Sequence, residues 1–141
     1  METIRTGNTY IVRLQKGEEI LTKLKEFSER EHVTLAKIEA IGATNDFTVG
    51  AYDSKKKQYR SHHYTGEYEI LSLLGNITTK DGEFYCHLHM SCGSEDGSAV
   101  GGHLNSAVIS VTCEMFVTVL EGKVERKYDE ETGINLFEFV K

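Results

Sequence analysis

From Phe84 to Cys92 apolar and polar residues alternate without a break. Phe84, Cys86, Leu88, Met90 and Cys92 fall on one side, and Tyr85, His87, His89 and Ser91 on the other. A period of two predicts a strand with one face in a core. Other segments read as strands by alternation or by β-branched and aromatic content: Thr9–Leu14, Val33–Ala43, Tyr68–Thr79 and the closing Asn135–Val140. Phe47–Asp53 and Gln58–Gly66 flank a lysine turn as a hairpin, and Asp81-Gly82 forms the turn that pairs Tyr68–Thr79 with the histidine strand. Ala107–Glu125 is a long strand that bends near Glu121-Gly122.

Helical period appears once, over residues 18–30. Ile20, Leu21, Leu24 and Phe27 form one apolar stripe, Gly17 marks the entry, and Glu18 and Glu19 suit the positive end of the helix dipole. One amphipathic helix among eight or nine strands predicts an α+β fold built on a mostly antiparallel sheet. The 141 residues lack proline, internal repeats and linker-like stretches, which predicts a single domain over 1–141. No apolar run approaches the roughly 20 residues of a membrane span, and the N-terminus lacks the apolar stretch of a secretory signal. A cytoplasmic location is the expectation, with no membrane partner.

Charge narrows the partners. The net charge is −6, and the one basic cluster, Ser54–His63, reads as the solvated end of a hairpin. Nucleic acid, which recruits clustered Lys and Arg, is disfavoured as a partner on this ground. Three cysteines make no disulfide framework, and Cys86, Cys92 and Cys113 lack the spacing of a zinc ribbon or a redox pair. They read as small buried apolar residues, with Cys113 sharing a face with Val111, Met115 and Val117.

The chemistry lies on the polar side of Phe84–Cys92. Strand parity points Cys86 and Cys92 away from His87 and His89, which rules out a Cys/His site made of these four. Two histidines at i and i+2 on one face can converge on a metal ion, with His103 as third ligand if the turn at Gly101-Gly102 brings the backbone close. At most one of His62 and His63 could join instead. On spacing alone, two solvated histidines and an unrelated turn histidine explain the same pattern. No G-x-S-x-G elbow is present for a serine nucleophile.

The stretch from Gly66 to Leu104 resembles the plants-and-prokaryotes-conserved (PPC) domain. Gly66, Glu69, Ile70, Leu71, Ser72, Leu73, Gly75 and Asn76 match its first block. His87 and His89 match its His-x-His, Gly101 to Leu104 its Gly-Gly-His-Leu, and Thr112-Cys113-Glu114 its Thr-Ala-Glu with Cys for Ala. Ile38–Ala43 resembles the small-residue strand upstream. The resemblance implies a homotrimer carrying zinc or another divalent metal at His87, His89 and His103. Such a site leaves a position open for a small-molecule ligand; whether an enzymatic reaction follows is left open. Glu69 and Glu114 are candidates to orient an imidazole, or to lie at the trimer interface. Plant members add AT-hooks, which a proline-free chain cannot have, and their Gly-Arg-Phe is Gly66-Glu67-Tyr68 here. The alternative is a DNA-binding or transcription-associated module in which the histidines are structural.

Overall fold

The computed structural model describes residues 1–139, so Val140 of the closing strand lies outside the described residues. The elements run β1 (Glu2–Thr6), β2 (Thr9–Gln15), α1 (Ile20–Glu31), β3 (Ala36–Asp53), β4 (Gln58–Lys80), β5 (Glu83–Gly93), β6 (Ala99–Val119), β7 (Glu125–Asp129) and β8 (Ile134–Glu138). The α+β expectation holds. One sheet follows the order β1-β2-β6-β3-β4-β7-β8, and β5 pairs with both β4 and β6. The pairings β3–β4, β4–β5, β5–β6 and β6–β3 therefore close a ring, and all four are antiparallel. Closure removes free edges from the part of the sheet that carries the histidines.

Several strands expected separately are continuous. The segments on either side of Thr44–Asp46 join as β3, and those on either side of Gly66 join as β4. The polar Thr44-Asn45-Asp46 of β3 forms a register shift within the β3–β4 pairing, where the buried Thr44 donates its hydroxyl to the Val108 carbonyl at 2.6 Å. The Asp81-Gly82 turn has positive φ at both central residues (54° and 80°), the type I′ geometry that matches strand twist.

Helix α1 begins two residues later than the periodicity suggests. Gly17 lies in a turn at φ 86°, and it and Glu18 bond to Ile109 of β6 through their backbones, so the helix has not begun there. Glu19 is the cap instead: its carboxylate accepts from the Leu21 and Thr22 amides at 3.1 and 2.8 Å, and from the Ala107 amide of β6 at 3.1 Å. Ile20, Leu24 and Phe27 are buried beneath it, with Tyr10 edge-on to Phe27.

Strand β6 starts earlier and stops earlier than expected. It takes in Gly101–His103, which therefore lie in a strand and not in a turn, and it ends at Val119, before Glu121-Gly122. Between Ile109 and Cys113 its register against β3 slips. The slip breaks strict alternation, so Val111 is exposed while Cys113, Met115 and Val117 are buried. Cys92 is also buried and Cys86 half-buried, and burial pushes all three thiols up to about 12.

The apolar side of β5 faces the core as its alternation requires, with Leu88 and Met90 fully buried. Opposite Leu88 stands Gly75 of β4, where an added Cβ would collide with the His87 carbonyl oxygen. Gly75→Ala is expected to lower the free energy of urea unfolding by roughly 1–3 kcal/mol, because the obstacle is backbone and cannot rotate away. An unchanged midpoint would show that β4 and β5 can part locally.

A three-histidine cluster at the mouth of a tyrosine-lined cavity

Three adjacent strands bring the histidines together. His87 and His89 project from the polar side of β5, and His89 is the cross-strand partner of His103 on β6. His103 in turn pairs with Gly50 on β3. The approach depends on missing side chains. A Cβ on Gly101 would lie 2.7 Å from the Met90 carbonyl oxygen, and one on Gly102 would strike the backbone of Gly50. The two glycines thus act by permitting close packing of strands rather than by turning the chain.

One nitrogen from each ring lies within 4.8 Å of the other two. The ring centroids are 5.0 to 5.8 Å apart, and the Nε2 atoms of His87 and His89 are 3.2 Å apart. Tetrahedral zinc with Zn–N bonds of about 2.0–2.1 Å separates its nitrogens by about 3.3–3.4 Å, so this pair already spans one edge of such a polyhedron. The donor chemistry agrees. Burial drives His87 down to about 4, aided by charge at His103, His89 and Arg126, and burial with His89 lowers His103. Neutral imidazoles are the form that coordinates a cation. Among the described residues no carboxylate hydrogen-bonds to any of the three rings.

Other sequence candidates lie elsewhere. His62 is exposed on β4, and His63 pairs with Asp46 at 2.7 Å. Glu69 is exposed on β4. Glu114 lines a shallow depression of about 320 Å³ with Glu39, Ile41, Leu71, Leu74 and Phe116, outside the histidine cluster.

The histidines open into a larger cavity of about 700 Å³. Its walls include Tyr52 and Tyr59 from the β3–β4 hairpin, Tyr85 from β5, and Arg126 and Tyr128 from β7. The hairpin tip meets the turn between β7 and β8: Tyr52 donates to the Thr132 carbonyl at 2.8 Å, and Lys57 to the Glu130 carbonyl at 2.7 Å. The strand parity of Tyr85 announces its place beside His87. Arg126 and Tyr128 carry no such signal, because their position follows from how a distant hairpin folds back.

Residues 1–121 match the Plants and Prokaryotes Conserved (PCC) domain. Three solved structures are similar over nearly their whole length. A candidate DNA-binding protein from Bacteroides thetaiotaomicron is 31% identical, with a TM-score of 0.95 and coverage of 98% of this chain and 96% of that one. A metal-containing protein from Archaeoglobus fulgidus is 38% identical, with a TM-score of 0.89 and 96% of each chain covered. A plant- and prokaryote-conserved protein from Pyrococcus horikoshii is 37% identical, with a TM-score of 0.86 and coverage of 96% and 94%. A comparison with curated proteins finds no match.

The lowered His87 pKa sets a direction for pH dependence. Unfolding frees His87 to take a proton near its ordinary value of about 6.5, whereas the folded protein resists until about 4. The unfolded state therefore binds more protons between those values, and the metal-free protein loses stability as pH falls from about 6.5 towards 4. Histidine NMR titration should give His87 a midpoint near 4. Urea midpoints should fall less steeply over that window in His87→Gln than in wild type, and an ordinary midpoint for His87 would refute the burial argument.

Proposed function

The chain belongs to the Plants and Prokaryotes Conserved domain family, and from that premise we propose a single-domain, cytoplasmic homotrimer in which His87, His89 and His103 hold a zinc-class divalent ion that receives a small ligand. The observation that carries this reading is the convergence of three imidazoles at the mouth of a cavity, with His87 and His103 held below the ordinary histidine range. The similarity to a metal-containing protein of Archaeoglobus fulgidus supports it. Three protein ligands leave a coordination position open, the arrangement of a binding or catalytic site rather than a closed structural one. When bound, such an ion supplies Lewis acidity and an anchoring point for a donor atom. The chain's own residues would orient that donor: Tyr59 reaches the Asn105 side chain with its hydroxyl and stands edge-on to His103, while Tyr85 flanks His87 on the same strand.

The trimer reading has its own support. Ile41, Leu71, Leu74, Val111 and Phe116 are large apolar residues roughly half or more exposed. Four of them gather around the shallow depression on β3, β4 and β6. A cluster of this kind on a small acidic protein fits a surface covered by other copies. No helix among the described residues is long and apolar enough to cross a membrane. DNA binding, the description given to the Bacteroides thetaiotaomicron protein, is the lesser reading: the net charge of −6 offers few contacts to a phosphate backbone.

Elemental analysis after brief dialysis against a weak chelator should find about one zinc-class ion per chain. His89→Ala should lose most of it, whereas His32→Asn, at the left-handed cap of α1, should keep it. Loading should decline as pH falls and protons compete for the imidazoles. A wild type that takes up no divalent metal, or a His89→Ala variant that retains it fully, would overturn the metal assignment.

Sedimentation equilibrium at micromolar concentration should return the mass of three chains. Leu74→Glu with Phe116→Glu should shift the protein towards smaller species without unfolding it, because both side chains point away from the core. A stable wild-type monomer would remove the trimer from this reading.

A further inference from the structure

We propose that Arg126 is the anion-binding end of the cavity, and that the ligand is a small organic carboxylate whose other end reaches the histidine cluster. The inference deepens the metal-site reading and rests on it for that second contact alone.

Arg126 is 7% exposed and is held between two rings, its guanidinium carbon 4.7 Å from the centre of Tyr85 and 4.4 Å from that of Phe137. Each of its nitrogens donates to a neutral oxygen: Nε to Thr78 Oγ1 at 3.0 Å, Nη1 to the Asn135 carbonyl at 3.3 Å, and Nη2 to Asn76 Oδ1 at 2.8 Å. The ion pairs among the described residues do not include it. A buried guanidinium without a counter-ion is expensive, and its neighbours satisfy its geometry but not its charge. A guanidinium carries five N–H donors and three are engaged here. The remaining two sit one on each Nη, a pair suited to the two oxygens of a carboxylate.

The location supplies the rest. Arg126 lines the same cavity as His87, His89 and His103, and its charge is among the causes that lower His87. Among the described residues that line the cavity it is the only lysine or arginine, and none is an aspartate or glutamate. One positive group at one end suits a monoanion better than a phosphate dianion, which normally gathers several cationic or backbone donors. The tyrosine walls and the volume of about 700 Å³ call for an organic body behind that charge, since a bare inorganic ion would leave most of the space to water.

Calorimetric titration of the zinc-loaded protein with benzoate, 4-hydroxybenzoate and acetate, with benzamide as the neutral counterpart of benzoate and with orthophosphate, tests the proposal. Carboxylates should bind, the aromatic ones more tightly than acetate, and benzamide should be weaker than benzoate by about tenfold or more. Arg126→Gln should lose carboxylate affinity by a similar factor while retaining its zinc, and Arg126→Lys should recover part of it. Arg126 also ties β7 and β8 to β4, so Arg126→Gln is checked for folding by circular dichroism. If it does not fold, the benzoate–benzamide comparison in wild type decides. Equal binding of that pair, preference for orthophosphate, or no carboxylate binding to zinc-loaded wild type overturns the proposal. Zinc uptake is read separately by elemental analysis. If wild type takes up no zinc but metal-free protein still prefers benzoate to benzamide and Arg126→Gln does not, the anion site stands and the metal reading falls.

Discussion

The contact on which the site depends is the close packing of three backbones where β6 passes between β5 and β3. His89, His103 and Gly50 lie in one row across those strands, and Gly101 and Gly102 leave no Cβ to hold the chains apart. Strand spacing in a sheet is nearly constant, so the separation of the rings is set by register more than by side-chain freedom. Gly75 plays the same part on the other side of β5, against His87. A site built this way is positioned by the ladder itself, and the imidazoles need only small rotations to meet a common partner.

Burial then determines what the cluster can hold. Partial burial of His87 and His103, with the charge of neighbouring imidazoles added, disfavours the protonated forms of these two. The same desolvation acts on Arg126, whose charge persists because a guanidinium does not give up its proton in the physiological range. One cavity therefore joins a set of imidazole lone-pair donors to a fixed cation. The first can bind a metal, and the second favours an anion. Among the described residues no acidic side chain lines the space, where a carboxylate would neutralise the arginine and compete for the histidines.

Much of this was legible in the sequence, and the limits have physical causes. Alternation in Phe84–Cys92 separated the histidines from the cysteines correctly, because a strand with one buried face permits only one register. The stripe Ile20, Leu24, Phe27 located the helix, but its start was misplaced, since tertiary bonds from Gly17 and Glu18 to Ile109 outweigh local preference. The glycine pair looked like a turn because composition cannot distinguish a glycine that bends a chain from one that lets another chain approach. Val111 shares the parity of the buried positions but not their burial: one irregularity between Ile109 and Cys113 turns it outward while Ala107 and Ile109 before it, and Cys113, Met115 and Val117 after it, stay in the core. Arg126 was invisible, as nothing local distinguishes a buried arginine in a charged hairpin from a solvated one.

The boundary of the family match suggests how these parts divide their work. The three histidines and the glycines beneath them all fall within residues 1–121, whereas Arg126, Tyr128 and Asn135 lie beyond it, on β7 and β8. The hairpin is joined to the sheet by one parallel pairing at Thr79 and Glu125, by Arg126 itself, and by contacts from the β3–β4 tip. Its attachment is thus looser than the antiparallel ladders that space the histidines. Changes in the hairpin can alter the charge and shape offered to a ligand without disturbing the strand contacts that gather the imidazoles. Both parts belong to the shared fold, since the similar solved structures cover 96 to 98% of this chain. What separates them is the kind of attachment, a backbone ladder for the imidazoles and a few side-chain contacts for the wall that carries Arg126.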